Sequence, residues 1–181
     1  MVSGGCRDVL VSNEVVSPRM IERLAALAKR ARVVVCVDDL GNVDDLSSAA
    51  QKYGVTIECL VEIDVGAGRC GVAPGEPAVE IALKISRAAG LKFAGLQSYQ
   101  GKAQHVADYA ERKAMIETAI ADTARTIGLL KAEGLECDIV AGAGTGTYQL
   151  EGTSRVYNEL QCGPVTRLSV HLRWSAGNHP R

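Results

Sequence analysis

Three short stretches hold the residues whose types and spacing could do chemistry: EIDVGAGRCGV at 62–72, GLQSYQGKAQH at 95–105 and AGAGTGTY at 141–148. Arg69 stands in the first, among Gly66, Gly68 and Gly71. A guanidinium there could grip a carboxylate or phosphate bidentately, or bond to a ring nitrogen; the plain alternative is a surface salt bridge. Tyr99 could stack on a flat ring or pack against the rim of the fold. The amides of 141–148 could form a nest for a phosphate, with the Thr145 and Thr147 hydroxyls as further donors. The stretch matches neither the P-loop nor the dinucleotide fingerprint, and an ordinary tight turn would read the same way. His105 reads as a capping or solvent-facing residue. The pair Asp38–Asp39 could hold a metal, but a helix cap is the expected role.

Each stretch needs a rigid element behind it. All three follow apolar runs of strand length that break into small residues, which is how parallel α/β folds build sites at the carboxyl ends of strands. The spacing predicts strands over 8–16, 33–37, 59–64, 93–97, 137–141 and 157–162. VVVCV at 33–37 is apolar throughout, as expected of a strand covered on both faces. Helices are expected from Ser17-Pro18 onward, over 42–53, 76–89 and 108–133, with Gly54, Gly90 and Gly134 as stops. Strands alternating with helices define an α/β protein. The expected architecture is a partial (β/α)8 TIM-type barrel of about six βα units, short of closure by about two strands.

With 181 residues, 47% hydrophobic and 23% charged, the chain has enough material for one packed domain. A net charge of −1 gives no reason to expect nucleic acid or an anionic membrane as partner. No apolar run is long enough to span a bilayer and no signal-peptide pattern opens the sequence, so the cytoplasm is the expected compartment. Six scattered cysteines lack the spacing of a zinc site and read as small buried hydrophobes. The expected division is a barrel domain over 1–163 and an irregular tail over 164–181. That tail holds the single tryptophan and two of three histidines, with arginines and no acidic residue. It reads either as a solvated basic extension or as non-native sequence from a shifted frame.

VEIDVGAGRCGV, GLQSYQGKAQH, AGAGTGTY and NELQCG, with DVLVSNEVV and VVVCVDD before them, together resemble the D-threonine aldolase and 3-hydroxy-D-aspartate aldolase group. The resemblance runs from about residue 2 to residue 163. That group is related to eukaryotic-type D-serine dehydratase and, more distantly, to the alanine racemase N-terminal barrel. The resemblance implies a fold-type III enzyme with pyridoxal 5′-phosphate (PLP) in the barrel mouth. By motif, Arg69 would lie near the ring, Tyr99 beside it, and Gly144, Thr145, Gly146, Thr147 and Gly163 on the phosphate. The implied reaction is retro-aldol cleavage of a β-hydroxy-D-amino acid, such as D-threonine or 3-hydroxy-D-aspartate, to glycine and an aldehyde or ketoacid. A divalent metal, Mg or Mn, is implied as helper, and a small D-amino acid as substrate, in a possible homodimer. A D-serine dehydratase-like lyase and a non-catalytic PLP- or phosphate-binding module are the alternatives.

The sequence departs from the group's pattern in two ways. The Schiff-base lysine of the group lies on a strand upstream of Met1, so no catalytic residue is expected in this chain. Lys29, Lys52, Lys84, Lys92, Lys113 and Lys131 fall on expected helices or beside their ends, and Lys102 lies in the GKAQH turn. The group's metal ligands belong to a C-terminal β domain, so no metal ligand is expected either. Pro164-Val165-Thr166 stands where the group continues with a serine–tyrosine pair. An inactive fragment of a longer enzyme is the expectation.

Overall fold

Every predicted strand forms, and the six run parallel. The computed structural model describes residues 1–163 and the backbone of residues 172–173. Strands β1 (Asp8–Glu14), β2 (Arg32–Val37), β3 (Ile57–Ile63), β4 (Leu91–Ser98), β5 (Ile139–Gly142) and β6 (Glu159–Leu160) lie side by side in chain order. Helices α1 (Pro18–Ala28), α2 (Leu40–Tyr53), α3 (Glu76–Arg87) and α4 (Tyr109–Ala132) alternate with them. The result is half of a (β/α)8 barrel. A short helix α5 (Tyr148–Thr153), absent from the sequence reading, follows the AGAGTGTY turn. Strand β7 (Leu172–Arg173) pairs antiparallel with β6. It falls within the tail expected to be irregular; the rest of that tail lies outside the described residues.

The helix boundaries follow from local chemistry. Asp39 caps α2 by accepting from the Asn42 amide, the role expected of it. Asp108 caps α4 in the same way through the Glu111 amide. Ser17 stands at the N-cap of α1 before Pro18, but its hydroxyl makes no capping bond. Gly54, at φ 64°, ends α2 in the left-handed conformation that only glycine adopts cheaply.

Alternation along the strands sorts side chains into two faces. Val33, Val35, Val37, Cys59, Val61 and Ile63 pack on the helices in the main core. Leu10, Val34, Leu60, Ala94, Ile139 and Ala141 form a second apolar cluster on the opposite, barrel-interior face. At the amino ends of the strands, charges alternate in sign from strand to strand. Arg32 bonds Glu58 at 2.6 and 2.8 Å and Asp8 at 3.1 Å, and Lys92 pairs with Asp138 at 3.3 Å. Lys92 was expected on or beside a helix. It lies on β4 itself, at the end away from the strand mouths, where the Glu58 and Asp138 carboxylates hold it.

Candidate functional site at the strand mouths

The register puts three mouths at one height. Glu62 pairs with Gln97 and Ile63 with Ser98 across β3 and β4, and Ser98 pairs with Gly142 across β4 and β5. Asp64, Tyr99 and Ala143 therefore leave the sheet side by side. Gln97 and Gln161 tie the interior face by a reciprocal amide pair, at 2.7 and 2.9 Å.

The β3 mouth is a folded-back loop. The Asp64 amide donates to the Val72 carbonyl, and the Val72 amide donates to the Glu62 carbonyl. This return needs Gly71 at φ 95°, where a Cβ would sit 2.8 Å from the Asp64 nitrogen. The glycine amides, which the sequence suggested for a ligand, serve two protein carboxylates, Asp64 of the loop itself and Asp38 at the end of β2. Gly66 and Gly68 donate to Asp64 Oδ1 at 2.9 Å, and Gly71 donates to Asp38 Oδ2 at 2.9 Å. Those amide bonds, led by Gly68, hold the Asp64 carboxyl below its ordinary range.

The fold-back carries Arg69 and Cys70 over Glu62. Glu62 sits on the interior face of β3 with Glu58 and Leu60, only 3% exposed. Its Oε1 accepts from the Cys70 thiol at 2.9 Å and from Arg69 Nη2 at 3.3 Å. Its Oε2 and the Oε1 of Glu14, at the end of β1, are buried with no hydrogen-bond partner among the described residues. Burial first, then the Glu62 charge, pushes the Glu14 carboxyl up, against a backbone hydrogen bond that pulls it down. Burial and the Glu62 contact push the Cys70 thiol up to about 12, so it stays protonated. Arg69 thus makes a salt bridge, the plain alternative, but to a buried carboxylate rather than on the surface, and its guanidinium also lies 5.7 Å from the centre of the Tyr99 ring.

The β5 mouth is built differently. Gln104, from the 102–105 turn, reaches across to it. Its Oε1 accepts from the Gly146 amide at 2.9 Å, and its Nε2 donates to Thr147 Oγ1 at 2.8 Å. The Thr147 hydroxyl donates in turn to the buried Glu151 at 2.8 Å, so it faces into the turn. Thr145 and Gly146 are exposed, and the Thr145 hydroxyl donates to the Gly163 carbonyl. A cleft of about 180 Å³ opens beside them, lined also by Tyr109 and Arg112. Burial raises the Glu151 carboxyl, against the Thr147 bond. His105 is exposed, as expected.

The expected residues thus form two groups: Arg69 with Tyr99 on β3 and β4, and Gly144 to Thr147 with Gly163 at β5 and β6. Sequence reasoning missed Glu14, Glu62, Cys70, Gln104 and Glu151. Glu58 and Glu62, two charges on one face of an otherwise apolar strand, were a readable signal. Gln104 and Glu151 carried none, since their contacts span 43 and 4 positions through a turn.

The residues present fit PLP in part. The level mouths set an arginine–tyrosine face beside a turn with exposed Thr145 and Gly146, which suits a flat ring bearing a phosphate. No lysine lies on a strand mouth. Lys102 comes nearest: its Nζ would lie 3.1 Å from a Cβ built on Gly68, where its charge adds to the lowering of Asp64.

Comparison with known proteins agrees with this architecture. Residues 7–166 match the family described as "Alanine racemase, N-terminal domain". A 3-hydroxy-D-aspartate aldolase from Paracoccus denitrificans (strain Pd 1222) is 52% identical over 161 residues, covering 88% of this chain and 42% of that protein. A D-threonine aldolase from an Arthrobacter species is 40% identical over 162 residues, covering 90% and 43% respectively. The crystal structure of D-threonine aldolase from Filomicrobium marinum superposes with a TM-score of 0.89 at 53% identity, covering 90% of this chain and 44% of that one. The chain therefore spans less than half the length of these relatives.

Proposed function

From the premise that this chain belongs to the alanine racemase N-terminal domain family, we propose that it is the cofactor-binding half-barrel of a PLP-dependent lyase. The reaction of the whole protein is retro-aldol cleavage of a β-hydroxy-D-amino acid to glycine and an aldehyde or ketoacid. Supporting this choice over a dehydratase are the two aldolases, at 52% and 40% identity. A divalent cation, Mg or Mn, would assist at the β-hydroxyl through ligands outside these residues. The 1–163 barrel is the working unit of this chain, and a homodimer the proposed assembly. Among the described residues no helix is long and apolar enough to cross a membrane.

One observation carries the reading: the Arg69 guanidinium lies over the Tyr99 ring at level strand mouths, beside the exposed Thr145–Gly146 turn. When bound, PLP supplies an electron sink for the charge left on Cα after carbon–carbon cleavage. The chain's own residues bind and orient. Arg69, fixed by Glu62, would hold the cofactor ring from the β3 side, with Tyr99 beside it. Gly144, Thr145, Gly146 and Thr147, with Gly163, would hold the phosphate through the exposed Thr145 and Gly146, while the Gly146 amide and the Thr147 hydroxyl, bonded to Gln104 and Glu151, keep that turn in shape. No lysine of this chain is placed to bond the cofactor, so the 181 residues alone bind PLP without turnover.

Titrating PLP into the chain and following its absorbance tests this. Arg69→Ala and Tyr99→Ala are expected to weaken binding at least about tenfold, and borohydride is expected to leave no adduct. Unchanged affinity in both variants, or a stoichiometric adduct on one lysine, would overturn the reading.

A further inference from the structure

A second constellation lies below Arg69, and of its members the PLP reading uses only Glu62, as the anchor of Arg69. Glu14 ends β1, Glu62 is the penultimate residue of β3, and the 64–72 loop brings Cys70 back beside both. One donor atom from each lies within 4.8 Å of the other two. We propose that Glu14, Glu62 and Cys70 bind a divalent transition-metal ion of the zinc class.

The strongest ground is the unmet bonding of Glu62. Its side chain is 4% exposed, and Oε2 has no hydrogen-bond partner among the described residues, like Glu14 Oε1. Buried carboxyl oxygens without partners are costly, and a cation between them removes that cost. The donor set, one sulfur and two carboxyl oxygens, is the mixed borderline set that suits zinc; magnesium would reject the thiolate. Metal–ligand bonds of about 2.0–2.3 Å need donors roughly 3.3–3.7 Å apart. The three donors all lie within 4.8 Å of one another, and Cys70 Sγ stands 2.9 Å from Glu62 Oε1, which is the spacing of a cluster able to share one ion.

The charge also balances. Ionised Glu14, Glu62 and Cys70 carry three negative charges, and Arg69, bonded to both Glu62 and Cys70, offsets one. A divalent ion neutralises the other two. Binding replaces the Cys70 thiol proton, which leaves to solvent, with a metal–sulfur bond. The neighbouring Asp38 stays outside the set because its Oδ2 accepts from the Gly71 amide. Cys36, fully buried on β2, borders the cluster, its thiol pushed up by burial first and then by the neighbouring Glu62 and Glu14. Cys70 and Glu14 are half-buried, which leaves a path in from the strand mouths. The proposal needs no cofactor and stands or falls separately from PLP binding.

The test is a cobalt(II) titration of the tag-free chain, without PLP. The expected result is one Co²⁺ per chain, with a near-ultraviolet thiolate-to-cobalt band that Zn²⁺ bleaches. Cys70→Ser abolishes the band, Cys6→Ser preserves it, and Glu62→Gln weakens affinity by at least about a hundredfold. Far-ultraviolet circular dichroism checks the fold of each variant. A second measurement uses only the unmutated chain: Zn²⁺ is expected to protect Cys70, and not the exposed Cys6, from alkylation mapped by mass spectrometry. A cobalt band that survives in folded Cys70→Ser, or equal alkylation of Cys70 with and without Zn²⁺, would overturn the proposal.

Discussion

The loops after β3 and β5 do the same job with opposite means. Each leaves a strand at the same height, each is glycine-rich, and each is organised by a carboxyl group. After β3 the organiser is Asp64, partly exposed and held below its ordinary range because the Gly66 and Gly68 amides donate to it. After β5 it is Glu151, 2% exposed, raised by burial, and contacting the turn through the Thr147 hydroxyl. The first loop is fixed by its backbone and the second by side-chain latches, Gln104 above and Glu151 below. A loop whose amides are spent on Asp64 and on the neighbouring Asp38 presents side chains, here Arg69 and Cys70. A turn held by side chains keeps its outer backbone, Thr145 and Gly146, facing solvent.

The largest effect should come from adding one methyl group to each loop. Gly71→Ala meets backbone atoms at 2.8 Å with φ at 95°, and about 2–4 kcal/mol of stability is expected to be lost. Gly144→Ala meets only the Gln104 side chain at 2.6 Å, which can swing away, so less than about 1 kcal/mol is expected. Urea unfolding midpoints of the two variants decide it, and equal losses would erase the distinction between the loops.

Asp64→Asn comes next, at about 1 kcal/mol near neutral pH after allowing for solvent screening. Because the folded Asp64 carboxyl is lowered, its contribution is present above its unfolded pKa and lost as pH falls through the folded value. Wild type and variant should therefore converge in stability under acid.

Glu151→Gln should show a smaller effect of the opposite sign. A raised folded pKa means the contribution of Glu151 is complete below its unfolded pKa and declines as pH rises through the folded one. The variant is expected to gain on wild type as pH increases, read from thermal unfolding across a pH series. A variant that loses ground with rising pH would show that Glu151 is ionised in the fold.

Gln104→Ala is the mildest change. It removes two water-accessible hydrogen bonds, together worth less than about 1 kcal/mol because water can replace them, and frees the Gly146 amide. The turn's backbone exchange with deuterium is expected to quicken while the 64–72 loop stays unchanged.

Much of this was legible in the sequence because it rests on local rules. Continuous apolar runs such as VVVCV make buried parallel strands, Pro18 and Asp39 start helices, and Gly54 stops one. The same rules placed Arg69, Tyr99 and the 141–148 turn at strand ends. What the linear pattern misjudged depends on distance in space. Lys92 followed a helix in sequence, yet the sheet drew it into β4 between Glu58 and Asp138. Residues 148–153 carry Gly152 and Thr153, poor helix formers, and the Thr147–Glu151 contact and packing against Leu160 of β6 override that preference.

The sequence alone therefore determined the half-barrel, the order of its strands and the stretches that form its mouth, since period and turn chemistry act between near neighbours. Only the tertiary structure decided which partners those stretches take. Strand register brought Glu14 to Glu62 across 48 positions, and the left-handed Gly71 turned Cys70 back onto Glu62. Pairing of that kind is set by the sheet's geometry, and no local propensity encodes it.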